Sequence, residues 1–190
     1  MMNTTSEIKT ECDTTIERLR EHPFLRGLNH SQLTLLADCA LTARFKAGEV
    51  IFREGEEAKQ FYLIEKGKVV LESGKDFGEP VVIQTIGPGD LLGWSWMMPP
   101  YRWHFTARAV EPTKAIYFMG TILRDYCERD HSLGFELHKR MSEVMMKRLQ
   151  AARKKMLAIH AGGERLEPVV GTSPFMEQEF DTPGPEPVPE

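Results

Sequence analysis

The residues with chemical reach in this chain are few and scattered. Cys12, Cys39 and Cys127 stand far apart with no C-x-x-C pair, a pattern that predicts three reduced thiols. His104 has no second ligand at useful spacing, so no metal centre is expected. Ser95 is followed by no recognisable base partner, and the chain has no G-x-x-x-x-G-K-[ST], G-x-S-x-G or H-E-x-x-H motif. The sequence therefore predicts no catalysis. One short stretch, GWSWMMPPYRWHFT, concentrates Trp94, Trp96, Tyr101, Trp103 and Phe105 around Arg102. Such residues offer faces to a flat or apolar ligand and a cation to an anionic one.

The elements that must position this stretch are legible from glycine punctuation and apolar spacing. The chain has 190 residues, 41% hydrophobic and 27% charged, with a formal net charge of −4. That is one ordinary domain with extensions, without the basic excess of a typical nucleic-acid binder. Between Leu41 and Met119 seven strand-like runs, TARF, EVIF, QFYLIEK, KVVLE, VVIQTIG, FTARAV and KAIYFM, alternate with glycine- or proline-marked breaks. Short strands at such spacing predict a roll or barrel. Before them, residues 14–40 carry two helical patterns split by His22-Pro23, with Ser31 as the expected N-cap of the second.

After the strands helix returns, in a short segment over Leu123–Glu128 and a long one from about Leu133 to His160. Met145, Leu149, Ala152, Met156 and Ile159 follow one another at spacings of 4, 3, 4 and 3, the a/d seam of a helix pair. Two outcomes are open: dimerisation through this helix, or packing of the helix back on its own roll. Residues 139–155 hold seven basic side chains and one acid, while residues 161–190 hold six prolines and seven acids against one arginine. The last thirty residues read as a disordered Pro/Glu-rich tail and residues 1–13 as a disordered N-terminus. The tail shields the basic helix or merely solubilises the chain.

The runs FREGEEAKQFYLIEKGKVVL and IGPGDLLGWSW…FTARAVEPTKAIYF resemble the cyclic-nucleotide-binding domain of the catabolite-activator and fumarate-nitrate regulator superfamily. Gly55, Gly67, Gly87, Gly89, Asp90, Leu92 and Gly93 carry the likeness. It implies a mainly β fold with flanking helices: a cyclic-nucleotide-binding β-roll of jelly-roll type over 41–120, N-terminal helices over 14–40 and a dimerisation helix within 121–160. The family's phosphate-binding cassette maps onto Gly93, Trp94, Ser95, Arg102, Trp103 and Thr106. The family places a glutamate after the glycine and an arginine near the cassette's end; here Trp94 and Trp103 stand in those places. Arg102, one residue early, serves only if the loop at Pro99-Pro100 shifts register. The degenerate cassette either holds a cyclic nucleotide or another small anionic or aromatic ligand, or is filled by its own rings.

The resemblance also implies a helix-turn-helix after the long helix, which the thirty acidic, proline-rich residues cannot build. DNA binding is accordingly not expected. A lone Cys12 cannot supply the four thiolates of an iron–sulfur cluster. With no signal-like N-terminus and no apolar run of about 20 residues, the expected protein is a cytoplasmic, homodimeric regulatory sensor with no membrane contact, acting through a protein partner or its dimer helix. The alternatives are a DNA-binding regulator using the basic helix, or a ligand-free scaffold.

Overall fold

The structure, a computed structural model, describes residues 14–74 and 80–160, with backbone only at residues 155 and 158–160. The expected termini at 1–13 and 161–190, and with them Cys12, lie outside the described residues.

Two four-stranded antiparallel sheets make the roll. One has the order β1 (Ala40–Phe45), β8 (Thr113–Met119), β3 (Gln60–Lys66), β6 (Leu91–Leu92); the other runs β2 (Val50–Phe52), β7 (Thr106–Ala109), β4 (Val69–Ser73), β5 (Val81–Ile86). All seven expected runs are strands. The eighth, β6, is a two-residue strand where the sequence suggested only a turn; it pairs Leu91 and Leu92 with Leu63 and Tyr62. Two residues are too few to show an alternating pattern.

Successive side chains of a strand point to opposite faces, and here both faces of the first sheet's central strands, β3 and β8, are largely buried. Phe61 and Leu63 of β3, with Ile116 and Phe118 of β8, face a core shared with the helices. Tyr62 and Ile64, with Ala115, face the roll interior alongside Phe52, Leu71 and Ala107. The register Phe61↔Phe118 and Leu63↔Ile116 keeps like faces together. This accounts for the near-continuous apolar run FYLI.

The helices pack on the outer face. Helix α1 (residues 14–21) brings Ile16 and Leu19 to it, and the 3-10 turn Pro23–Leu25 adds Phe24 and Leu25. Helix α2 (His30–Cys39) starts at Asn29 rather than at the expected Ser31: Gln32 N donates to Asn29 Oδ1 at 2.9 Å, and Asn29 N donates to Gln32 Oε1 at 3.1 Å. This reciprocal box satisfies two helix-end donors. Helix α3 (Gly120–Arg129) precedes α4 (His131–His160), each starting slightly before the expected residue.

Of the two open outcomes for α4, packing back on the chain's own fold holds for its first half. Leu133, Leu137, Met141 and Val144 are buried against the chain's own core. Arg140 Nη1 donates to the carbonyls of Phe24 at 3.0 Å and Arg26 at 2.6 Å, locking this half to the N-terminal turn. Beyond it, Leu149 and Met156 are 64% and 71% exposed. Of the expected seam, Leu149, Ala152 and Met156 are exposed, Met145 is packed on the core, and the side chain of Ile159 lies outside the described residues.

Candidate functional site

The turn from β5 into β6 leads straight to the cassette. Asp90 accepts from Gly87 N at 3.0 Å, and its carboxyl is pushed up to about 6, chiefly by burial, with the Gly87 amide and Arg148 pulling the other way. Arg148 of α4 reaches back to the same place, its Nη2 donating to Leu91 O at 2.6 Å. Gly93 then turns the chain with φ of 89°, and the 3-10 turn Trp94–Met97 follows. A side chain at Gly93 would be strained by that φ and would also strike Trp103, whose Cη2 lies 2.8 Å from the position of a Cβ. Only glycine fits.

The three tryptophans, grouped in sequence, go to three different places. Trp103 points into the roll, 4% exposed, and stacks on Phe52 with ring centroids 3.8 Å apart and planes 12° from parallel. Trp96 is 1% exposed and belongs to the helix-side core, 5.9 Å from Phe61. The expectation that it joins a roll-lining aromatic set is therefore corrected. Trp94 is half-buried and stacks on His104 at 5.1 Å.

Backbone pairing explains the in–out alternation at the cassette's end. Gly55 N donates to Trp103 O at 2.8 Å, Trp103 N to Glu56 O at 2.9 Å, and Ala58 N to Tyr101 O at 2.7 Å. This short ladder pairs Arg102 and Trp103 with residues 55–57, so these two neighbours face opposite ways. Trp103 is inside. Arg102 is outside, exposed, with Nη1 donating to Gly55 O at 2.8 Å. Thr106 is buried and its Oγ1 already accepts from Glu54 N at 3.1 Å. Ser95 is buried too, and its Oγ lies 3.1 Å from His104 Nδ1. The sequence reading missed this pair because the histidine follows nine residues later, across the proline loop. No carboxylate orients the imidazole among the described residues, so the pair lacks the third member of a hydrolytic triad.

Geometry thus brings Gly93, Trp103 and Phe52 together at the roll's interior and leaves Arg102 on its rim. Among the described residues no group of three or more histidine, cysteine, aspartate or glutamate side chains is placed to hold a metal. No described helix is long and apolar enough to cross a membrane.

The fold is thus a β-roll flanked by helices, with a glycine-turned cassette against its interior. Residues 42–130 match the family model of the cyclic nucleotide-binding domain, and this stretch of the chain is such a domain. Human cGMP-dependent protein kinase 2 is 36% identical over 76 residues, 40% of this chain and 10% of the kinase. The cAMP-dependent protein kinase regulatory subunit of Schizosaccharomyces pombe is 37% identical over 76 residues, 40% of this chain and 17% of that protein. The chain therefore spans a small part of these relatives' length. Among solved structures, a Geobacter metallireducens protein assigned as cyclic nucleotide-binding shares 29% identity over 71% of this chain and 98% of its own, with a TM-score of 0.65. The Thermus thermophilus catabolite activator protein, 21% identical, matches in fold over 73% of this chain and 63% of its own, with a TM-score of 0.60.

Proposed function

We propose that this chain is a non-enzymatic regulatory module of the cyclic-nucleotide-binding type whose roll is filled by its own aromatic rings. One observation carries the reading: Trp103 lies flat on Phe52 at 3.8 Å with its ring edge against Gly93. The volume beside the cassette glycine is thereby occupied. The glutamate and arginine that the family resemblance leads one to expect are replaced by Trp94 and Trp103, and Arg102 is committed to Gly55 O outside the roll. Each such charge-assisted contact contributes about 1.5–3 kcal/mol. Losing both weakens a cyclic nucleotide by roughly 10² to 10⁴ in affinity, the contacts being only partly additive.

Signalling then runs through the far half of α4. Leu149 and Met156 are exposed seven residues apart, the seam spacing of a helix pair, with Leu157 exposed beside them, and a second copy of the chain or a protein partner covers this face. Calorimetry tests the ligand side: cAMP and cGMP should not saturate below about a millimolar. Micromolar binding abolished by Arg102→Ala would overturn it and restore Arg102 as phosphate ligand. Binding of duplex DNA in a salt-sensitive gel shift would favour the DNA-binding regulator instead.

A further inference from the structure

A cleft of about 420 Å³ opens outside the roll, between the cassette turn and the two C-terminal helices. Trp96 and Tyr101 line it from the cassette side, Arg124 from α3, and His131, Phe135 and His138 from α4. Its size is that of a small-molecule site. Its walls are aromatic where a surface would ordinarily be polar: Phe135 is 68% and Tyr101 37% exposed. Tyr101 also holds a left-handed φ of 55°, alone among the described non-glycine residues, a strained conformation that needs support from its surroundings. Part of that support is Arg124, whose guanidinium lies 4.6 Å from the Tyr101 ring centre.

Arg124 is the cleft's chemical centre. Its Nη1 donates to Trp96 O at 2.6 Å, and no described carboxylate lies within ion-pair distance of it. Its remaining N–H groups have no protein acceptor among the described residues, and a guanidinium presents such donors in a fixed planar fork that matches a carboxylate. His131 makes no described hydrogen bond, and His138 has its Nδ1 turned to Gly134 O at 2.7 Å, which leaves Nε2 uncommitted. Glu128 is the one acid in the lining; it is exposed, so its repulsion of an anion is screened by water.

We infer that this cleft is a binding site for a small aromatic carboxylate, with the acid group on Arg124 and the ring between Phe135 and Tyr101. Nothing in this rests on whether the roll binds a nucleotide. Because Arg124 also holds Trp96 O, an occupant bears at once on the cassette turn, α3 and α4. A ligand there would favour whichever arrangement of the three holds it best.

The test uses the full chain with indole-3-acetate as the probe and indole-3-ethanol as its uncharged counterpart, followed by calorimetry. Indole-3-acetate should saturate with a dissociation constant between about 10 μM and 1 mM, and the alcohol should bind at least about tenfold more weakly. Arg124→Gln should weaken the acid by about tenfold or more. Phe135→Ala, a change at an exposed position that leaves the core intact, should weaken it several-fold. Absence of saturation, equal binding of acid and alcohol, or binding unchanged by both variants would overturn the proposal. So would loss of binding in Trp103→Phe with Arg124→Gln unaffected, since that places the ligand in the roll.

Discussion

Replacing Asp90 by asparagine should unmask a compensation between two buried groups. Asp90, 5% exposed on the turn before the cassette, has its carboxyl raised from 3.8 to about 6, mainly by burial. Its charged form is thus disfavoured in the fold, so stability is highest with Asp90 protonated and falls as pH rises from 3.8 through 6. A gap of about 2 in pKa, at about 1.4 kcal/mol apiece, makes that loss roughly 3 kcal/mol at neutral pH. His22, also 5% exposed, has its imidazole lowered from 6.5 to about 4, again chiefly by burial, with the Ile64 backbone and Glu65 pulling weakly upward. Its stability contribution is complete above pH 6.5 and is lost as pH falls through 4, by roughly 3 kcal/mol.

The two slopes oppose each other across the same window. Between pH 7.5 and 4.5 the wild type should lose only about 0.5 kcal/mol from this pair, because about 2 kcal/mol gained at Asp90 offsets about 2.5 lost at His22. Asp90→Asn mimics the neutral carboxyl and still accepts from Gly87 N. It should be the more stable protein at pH 7.5, by up to about 3 kcal/mol, and should lose about 2.5 kcal/mol on acidification. Urea titrations at half-unit pH intervals read both quantities directly. Parallel stability curves for wild type and variant would refute the reasoning, since the argument requires the two to converge toward acid.

Gly93→Ala should destabilise by at least about 1–2 kcal/mol from the left-handed backbone alone; pairing it with Trp103→Phe in a double-mutant cycle should recover part of the loss, because the ring edge then recedes. Trp103→Ala should cost about 3–5 kcal/mol in denaturant unfolding, as expected for removal of a buried aromatic ring. The two halves of α4 should respond oppositely: Leu137→Ala, at 2% exposure, should cost about 2–5 kcal/mol of fold stability. Leu149→Glu, at 64% exposure, should leave a thermal melt of the dilute protein nearly unchanged yet abolish self-association in sedimentation; a wild type that is monomeric at high micromolar concentration would refute the dimer.

The order of elements was legible in the sequence because strand and helix periods are local properties. QFYLIEK alternates between two cores, and β-branched and aromatic runs bounded by Gly67, Gly87 and Gly89 mark where the chain reverses. The cassette's place was legible through the family resemblance, carried in part by Gly93, the glycine that a local turn requires. Asn29 was missed as the cap in favour of Ser31 because both are good capping residues only two positions apart, and only the actual bond to Gln32 N separates them.

What the tertiary structure alone decided is direction. Trp94, Trp96 and Trp103 are one residue type in one short stretch, yet they face a histidine, the helix core and the roll interior. Arg102 and Trp103 are adjacent, and their opposite fates follow from a ladder with residues 55–58, some 45 positions earlier. Ser95 meets His104, and Arg124 meets Trp96 O, only once the loop has closed and α3 has docked. A side chain's facing depends on the pairing register and on which neighbour occupies the space first. Both are set by contacts between segments distant in the chain, so composition and spacing determine that a roll with a glycine-turned cassette forms, and packing determines what fills it.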